Sequence, residues 1–395
     1  MRRGVTAATE RPRVAVIYHF FPHYRGAVLR ELAQSSLFDY RLFADTQDFV
    51  DQAIPGLGPG DGSPDVTRLP CRRLVGHTMW QSGLLRLALR GNYAAFILLG
   101  NVYWPATWLA LVILRLRRKP AWLWTHGWVD HDRGAKRLVR NTFYRLATGL
   151  LLYGHFAKQH ALTLGFPADR LQVIRNSLDL DAMSRAHDSC GKVTQREALA
   201  SLFGENPNRA VICATRLIPE RRLLSLVEAL ALLRSSGEDV HLILVGGGPQ
   251  ESLLRQRAAA LGLSVHVEGP CYDEDRLAVL FKAASACVIP RNIGLLAISA
   301  MSHGCPVVTV DDWTIQFPEF EAVIPGVTGR LTAGDSPEEL AGAIRDLFDE
   351  LDGGGQMGDA SRAMVRRFYS PSFQRSSIEW VLTGNDANDL FYLGD

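Results

Sequence analysis

Two arginines, Arg216 and Arg221, flank a short loop directly after an apolar run at 210–214. Guanidinium groups are permanently charged and bidentate, so this pair suits a diphosphate. A solvated Arg–Glu loop is the plainer use of the same residues. The stretch 290–309 (PRNIGLLAISAMSHGCPVVT) reads as a strand end, a Gly294-Leu295 step that opens a helix, a stop at Gly304 and a new strand from Pro306. Backbone amides at such a step, with the helix dipole behind them, favour an anion. An unliganded strand–helix corner has the same look. Gly247 sits in a Gly-Gly-Gly-Pro turn that lacks the dinucleotide glycine spacing. Glu319 and Glu321 are suited to vicinal hydroxyls, because each carboxylate oxygen accepts from an O–H; helix-start carboxylates at a turn are the alternative. In the first half, His23, Tyr24, Arg25 and Gly26 follow the first strand and open the first helix, positioned toward an anionic or polar ligand. His126 precedes Gly127 at another strand end.

Short apolar runs alternate with stretches of helical period. Residues 14–18, 95–99, 121–124, 150–153 and 171–174 read as buried strands, with helices at 27–34, 105–115, 136–147 and 156–164. The pattern lapses over a polar, mixed segment and restarts at 210–214, continuing through strands at 240–245, 265–267, 286–289 and 306–309. Such alternation predicts parallel sheets covered by helices on both faces, an α/β doubly wound architecture. The expected layout is a loose tail at 1–12, a first domain at 13–182, a linker with one short helix at 183–208, a second domain at 209–368, and a final helix within 369–395 that packs back on the first domain. Ligands of open α/β sheets bind at the carboxyl ends of strands, so two such domains would share a cleft.

Composition narrows the partners. The chain has 395 residues, 47% hydrophobic and 21% charged, enough apolar material for two cores. With 43 basic against 41 acidic residues the net charge is +2, and no basic excess speaks for nucleic acid. The six cysteines show no C-x-x-C spacing and read as reduced core thiols of a cytosolic protein, with no metal site expected. No apolar signal core follows the basic N-terminus. Residues 93–114 carry no charge, but Gly100, Asn101 and Pro105 break the run. The cluster Arg115, Arg117, Arg118 and Lys119, beside Trp104 and Trp108, suits either a solvated helix end or anionic lipid headgroups.

Together these features resemble the retaining glycosyltransferases of family 4, over nearly the whole chain. Arg216-Leu-x-x-x-Arg221 is similar to that family's R-L-x-x-x-K signature, and residues 244–249 to its glycine–proline turn. Gly294-Leu-x-x-x-Ser-Ala-Met301 resembles the G-L-x-x-x-E-A-M helix, with Pro318-Glu319 and Gly326-x-x-Gly329 following. The resemblance implies a GT-B fold of two Rossmann-like domains, the first for the acceptor and the second for a nucleotide-sugar. It implies diphosphate binding by Arg216, Arg221, Gly294 and Leu295, and donor nucleotide or sugar contacts from Gly247, Asn292, Ser299 and Pro318. His23, Tyr24, Arg25 and Gly26 fall on the acceptor side, and His126, Glu319 and Glu321 become catalytic candidates. No cofactor or metal is expected. The family's two glutamates are missing: Arg291 and Ser299 stand there, as in a variant subgroup of bacterial surface-polysaccharide transferases. Glu319 or Glu321 is then the expected substitute. The implied chemistry is front-side attack with retention, while Asp130 and Asp132 leave an inverting base open. The implied setting is the cytoplasm, with peripheral contact at the inner membrane surface and a glycan or lipid-linked acceptor. Two rivals remain at this level: a non-catalytic nucleotide-sugar-binding subunit of a polysaccharide assembly complex, and a nicotinamide dehydrogenase.

Overall fold

The computed structural model describes residues 10–46, 55–57, 62, 64–128, 134–204 and 208–387. Asp130 and Asp132 lie outside the described residues. The chain forms two compact units: one from residues up to Tyr153, Ala157–Ile174 and Gln374 onward, the other from Gly154–Phe156 and Arg175–Phe373.

In the first unit the strands are β1 (Arg13–Phe20), β2 (Asp39–Asp45), β3 (Val66–Arg68), β4 (Cys71–Arg73), β5 (Met79–Gln81), β6 (Ala95–Leu99), β7 (Ala121–Thr125), β8 (Gly149–Leu152) and β9 (Leu171–Val173). Its helices are α1 (Gly26–Ala33), α2 (Leu84–Arg90), α3 (Pro105–Leu116), α4 (Ala135–Leu146) and α5 (His155–Thr163), the last beginning in the other unit. The main sheet is parallel in the order β3-β2-β1-β6-β7-β8-β9, and β4 and β5 form a small antiparallel pair. Successive strand side chains point to opposite faces. Ala15, Ile17, Phe96, Leu98 and Leu123 therefore join one core, and Val14, Val16, Ile97, Trp124 and Leu151 the other. Covering both faces is what makes the strands continuous apolar runs.

The second unit holds α6 (Leu180–Ser189), α7 (Gln195–Phe203), β10 (Arg209–Ala214), α8 (Leu223–Ser235), β11 (Val240–Val245), α9 (Glu251–Ala260), β12 (Val265–Gly269), α10 (Glu274–Ala283), β13 (Ala286–Val288), α11 (Leu296–Ser302), β14 (Val307–Val310), β15 (Gly329–Thr332), α12 (Pro337–Asp352) and α13 (Met357–Phe368). Its parallel sheet runs β12-β11-β10-β13-β14-β15. In each sheet the order reverses once, beside β1 and β6 in the first and beside β10 and β13 in the second.

Two expectations change. The polar segment 183–208 is largely helical and belongs to the second unit. Thr194 and Glu197 form a capping box that starts α7, and Ala198 and Leu199 are buried. The crossings of the chain fall instead at Tyr153–Ala157, Ile174–Arg175 and Phe373–Gln374. The terminal helix α14 (Pro371–Leu382) enters the first unit, where Ile378 and Val381 join Val28, Leu29 and Leu32, and Arg375 meets Glu31 at 2.8 Å.

Candidate functional site

In the second unit, the loop after β10 rests on the turn after β11. Thr215 N donates to Val245 O at 2.8 Å and Leu217 N to Gly247 O at 3.0 Å. Only glycine permits this approach. Gly246 and Gly248 have φ of 128° and 158°, and a Cβ there would stand 2.0 Å from Thr215 O and 2.4 Å from Leu217 O. The glycine turn thus seats the loop that carries Arg216, which is exposed.

Residues Pro219–Arg221 make a single 3-10 turn before α8. Arg221 donates from Nη1 to the carbonyl of Asn292, and its guanidinium lies 6.0 Å from the Phe317 ring. Its Nε is buried without a partner. Burial lowers the arginine's pKa most, and the charge of Arg216 on the same loop lowers it further. Asn292 takes a left-handed φ of 57°, with Asn292 N donating to Ile315 O at 3.0 Å. Gln316 holds the next step: its Oε1 accepts from Ile293 N at 2.9 Å, while Nε2 reaches Pro290 O at 3.0 Å and Thr309 Oγ1 at 2.8 Å. Gly294, at φ 54°, then turns the chain into α11 through Leu295. Arg216, Arg221, Asn292, Gly294 and Leu295 therefore gather at the carboxyl edge where the second sheet reverses, the usual ligand position of such sheets. Ser299 is half-buried one turn along α11, and Pro318 is half-buried at the head of a short 3-10 turn.

The two carboxylates expected to meet a sugar have another role. Glu321 accepts from His155 N and Phe156 N, each at 2.8 Å, and from Arg175 Nη1 at 2.6 Å, with its side chain only 6% exposed. Glu319, also buried, accepts from Asn176 Nδ2 at 2.7 Å. Both carboxylates are spent on pinning 155–156 and 175–176, stretches of the second unit that the sequence separates widely from residue 320. A Cβ on Gly154 would fall 2.4 Å from Glu321 Oε1, so any larger residue there would push the carboxylate out of place. Short-range sequence reading had no signal for these long-range partners. It also missed Asp335, which pairs with Arg291 at 2.5 Å and Arg222 at 3.3 Å, so the arginine at the first missing glutamate position is itself neutralised.

In the first unit, Tyr18, His19, Phe20, Pro22, Tyr24, Arg25, Leu99, Trp124, His126 and Tyr153 line a cavity of about 150 Å³. It too lies at the carboxyl edge where the sheet order reverses. Arg25, from a 3-10 turn ahead of α1, is buried against the Tyr18, Trp124 and Tyr153 rings at 5.1, 4.9 and 5.5 Å and donates to Tyr153 Oη. His126 keeps exposed surface, but its ring packs 4.7 Å from Tyr153; enclosure and, secondly, the Arg25 charge push its pKa down to about 4. The imidazole is neutral at physiological pH. Gly26 opens α1 from a buried position, whereas His23 is exposed and leaves the cavity, its Nδ1 lying 3.3 Å from Pro55 O. The aromatic wall was unanticipated; its signal was aromatic residues placed at or just beyond the ends of buried strands. Larger cavities of about 540 Å³ open near Ala121 and near Arg209, at the amino ends of β7 and β10, away from these loops.

The membrane-facing expectation is altered. Trp104 is buried beside Cys71 and Met79, and Trp108 donates to Val102 O at 3.0 Å. Arg115 and Lys119 reach the carbonyls of Arg145 and Tyr93 at 3.1 and 2.9 Å. Among the described residues no helix is long and apolar enough to cross a membrane, and no three His, Cys, Asp or Glu residues cluster to hold a metal.

Residues 208–350 match the family described as Glycosyl transferases group 1. The chain is 25% identical, over 95% of its length and 99% of the relative's, to the GDP-mannose-dependent alpha-(1-6)-phosphatidylinositol monomannoside mannosyltransferase of Mycobacterium tuberculosis. It is 32% identical to the D-inositol 3-phosphate glycosyltransferase of Streptomyces coelicolor over 39% of this chain and 36% of that one. Among solved structures, Anabaena Alr3699/HepE in complex with UDP aligns with a TM-score of 0.68 at 18% identity, covering 94% of this chain and 99% of that one. The lipopolysaccharide outer core galactosyltransferase WaaB aligns at 0.66 and 16%, covering 94% and 99%. These likenesses favour a glycosyltransferase over the dehydrogenase. The chain is an enzyme, a hexosyltransferase-type glycosyltransferase, and its fold is GT-B.

Proposed function

We propose that the enzyme moves a hexosyl group from a nucleoside-diphosphate sugar to a glycan or lipid-linked acceptor, with retention, in polysaccharide or glycolipid biosynthesis. One observation carries the donor reading: Arg216 and Arg221 stand on one loop after β10, and Arg221 reaches the Asn292 carbonyl beside the Gly294 turn, two cations that a diphosphate would neutralise. The mycobacterial relative uses GDP-mannose and a phosphatidylinositol mannoside, as its name states, which supports a glycolipid acceptor. In this reading the second unit holds the donor, with the arginines and the amides of Gly294 and Leu295 on the diphosphate and Gly247, Asn292, Ser299 and Pro318 around the nucleoside or sugar.

The bond from the sugar's anomeric carbon to the phosphate oxygen breaks, and the bond to the acceptor oxygen forms on the same face. The acceptor proton passes to the departing phosphate. Positioning and charge stabilisation carry such a reaction without a protein nucleophile. The arginines take the part a cation would play, so we propose that no metal is needed, and chelation by EDTA should leave the rate unchanged. Neutral His126 and Tyr24 contact hydroxyls on the acceptor side. The absent glutamates, with Arg291 bound by Asp335, support the variant-subgroup reading. The enzyme works at the cytoplasmic membrane face. There α3 and α4 supply exposed Leu116, Leu138 and Val139 beside Lys136 and Arg137.

The test is a transfer assay with GDP-mannose and a panel of UDP-sugars, using phosphatidylinositol mannosides and short glycans as acceptors. Product whose anomeric configuration matches the donor supports the reading. Donor turnover with inverted product, or none with any donor, removes it.

A further inference from the structure

Arg25 is 6% exposed, and among the described residues no acid pairs with it. The charges that bear on it come from Tyr153, Tyr18 and Tyr24, and among the described residues no carboxylate contributes. Burial raises the Tyr18 and Tyr153 phenols, so both stay neutral and supply no negative charge. Three aromatic faces offset part of the desolvation cost. Arg25 Nη1 nevertheless remains buried with no hydrogen-bond partner. A buried cation without a counter-ion is a standing cost, and a chain that keeps one at the carboxyl edge of an open sheet is arranged for a charge that arrives from outside.

We propose that the Arg25 cavity is an oxyanion-binding subsite, in which the guanidinium receives a phosphate or carboxylate group carried by the acceptor. The proposal rests on the transferase reading above and adds to it the chemical class of the acceptor. The cavity of about 150 Å³ holds several waters or one such group. The planar fork of arginine matches both oxyanions, and the Tyr24 hydroxyl and the imidazoles of His19 and His126 line the same space as further donors. The two anion-seeking regions then divide the labour: the second unit takes the donor diphosphate, the first an anionic mark on the acceptor.

The test follows the His126 imidazole by nitrogen–proton NMR in the full chain, assigned with His126→Gln, across a pH series. The probes are inorganic phosphate, acetate, and sodium chloride at matched ionic strength. An anion against Arg25 cancels the charge that depresses His126, so the imidazole pKa should move up with phosphate, acetate or both, and not with chloride. A response to phosphate alone assigns a phosphoryl group, and to acetate alone a carboxylate. Arg25→Gln should abolish the response while UDP or GDP binding, read by calorimetry, is unchanged. No response to either anion in the wild-type chain overturns the proposal, and needs no variant to fold. Loss of nucleotide binding in a folded Arg25→Gln chain overturns the acceptor-side assignment, since the anion would then be the donor's. Failure of the wild-type chain to bind any nucleoside diphosphate strikes the transferase reading instead.

Discussion

Arg175 and Arg25 are both buried arginines that face tyrosine rings, yet their surroundings differ in one respect. Arg175 meets the Glu321 carboxylate at 2.6 Å, with Tyr369 at 5.3 Å. Arg25 has the Tyr18, Trp124 and Tyr153 rings and no carboxylate among the described residues. The first charge is satisfied inside the fold and so serves the fold. The second is left for a ligand. Burial alone distinguishes neither case; the location of the counter-charge does.

The comparison is tested most severely at Glu321. Glu321→Ala removes the carboxylate that Arg175 meets and strands two backbone amides, a loss of about 3–5 kcal/mol expected for breaking a buried pair. Urea denaturation should read it, whereas Arg25→Met, which removes a buried cation with no carboxylate against it among the described residues, should leave the unfolding midpoint at or above that of the wild type while transfer collapses. Equal stability losses in the two variants would erase the distinction.

Gly246→Ala comes next. Its Cβ would meet Thr215 O at 2.0 Å at a φ of 128°, and a strained backbone of this kind costs about 1–3 kcal/mol. Thermal unfolding should show that loss, and calorimetry should show weaker nucleoside-diphosphate binding because the Arg216 loop is displaced. Wild-type affinity would mean that the glycine turn does not position the arginine.

The smallest effect contrasts two glutamates of the second unit. Burial and then Asp179 raise Glu274 from 4.5 to about 7. Its stabilising contribution is complete below pH 4.5 and is lost as pH rises through about 7. Arg276 and then His266 hold Glu268 down, from 4.5 to about 2, against the opposing pull of burial. Its contribution is present above pH 4.5 and is lost as pH falls toward 2. Glu274→Gln should flatten the stability profile between pH 5 and 8, and Glu268→Gln its acid limb. A profile unchanged by Glu274→Gln would mean that its burial is relieved by water.

Much of the fold was readable because buried parallel strands are continuous apolar runs. Residues 14–18, 95–99, 210–214 and 240–245 fall inside β1, β6, β10 and β11. Strand β2 went unread, since Asp39 and Arg41 give it a polar look and only its pairing with β1 makes it a strand. Helices α6 and α7 fill a segment whose polar, mixed composition reads as a linker with one short helix. At the site, Arg221, Asn292 and Gly294 were legible as a strand–turn–helix pattern. The fate of Glu319 and Glu321 was not, because their partners lie 143 to 166 positions away in sequence. The Arg25 cage is similar: Tyr18, Trp124 and Tyr153 come from three different strand ends and meet only in the folded sheet.

The claim on which the donor reading turns is that Arg216 and Arg221 hold a diphosphate. Titration calorimetry of UDP and GDP into the wild-type chain, Arg216→Gln and Arg221→Gln tests it directly. The account predicts binding of at least one nucleotide by the wild type and a loss of about tenfold or more in each variant, as removal of a charge-assisted hydrogen bond of about 1.5–3 kcal/mol requires. Variants that bind as tightly as the wild type would contradict it.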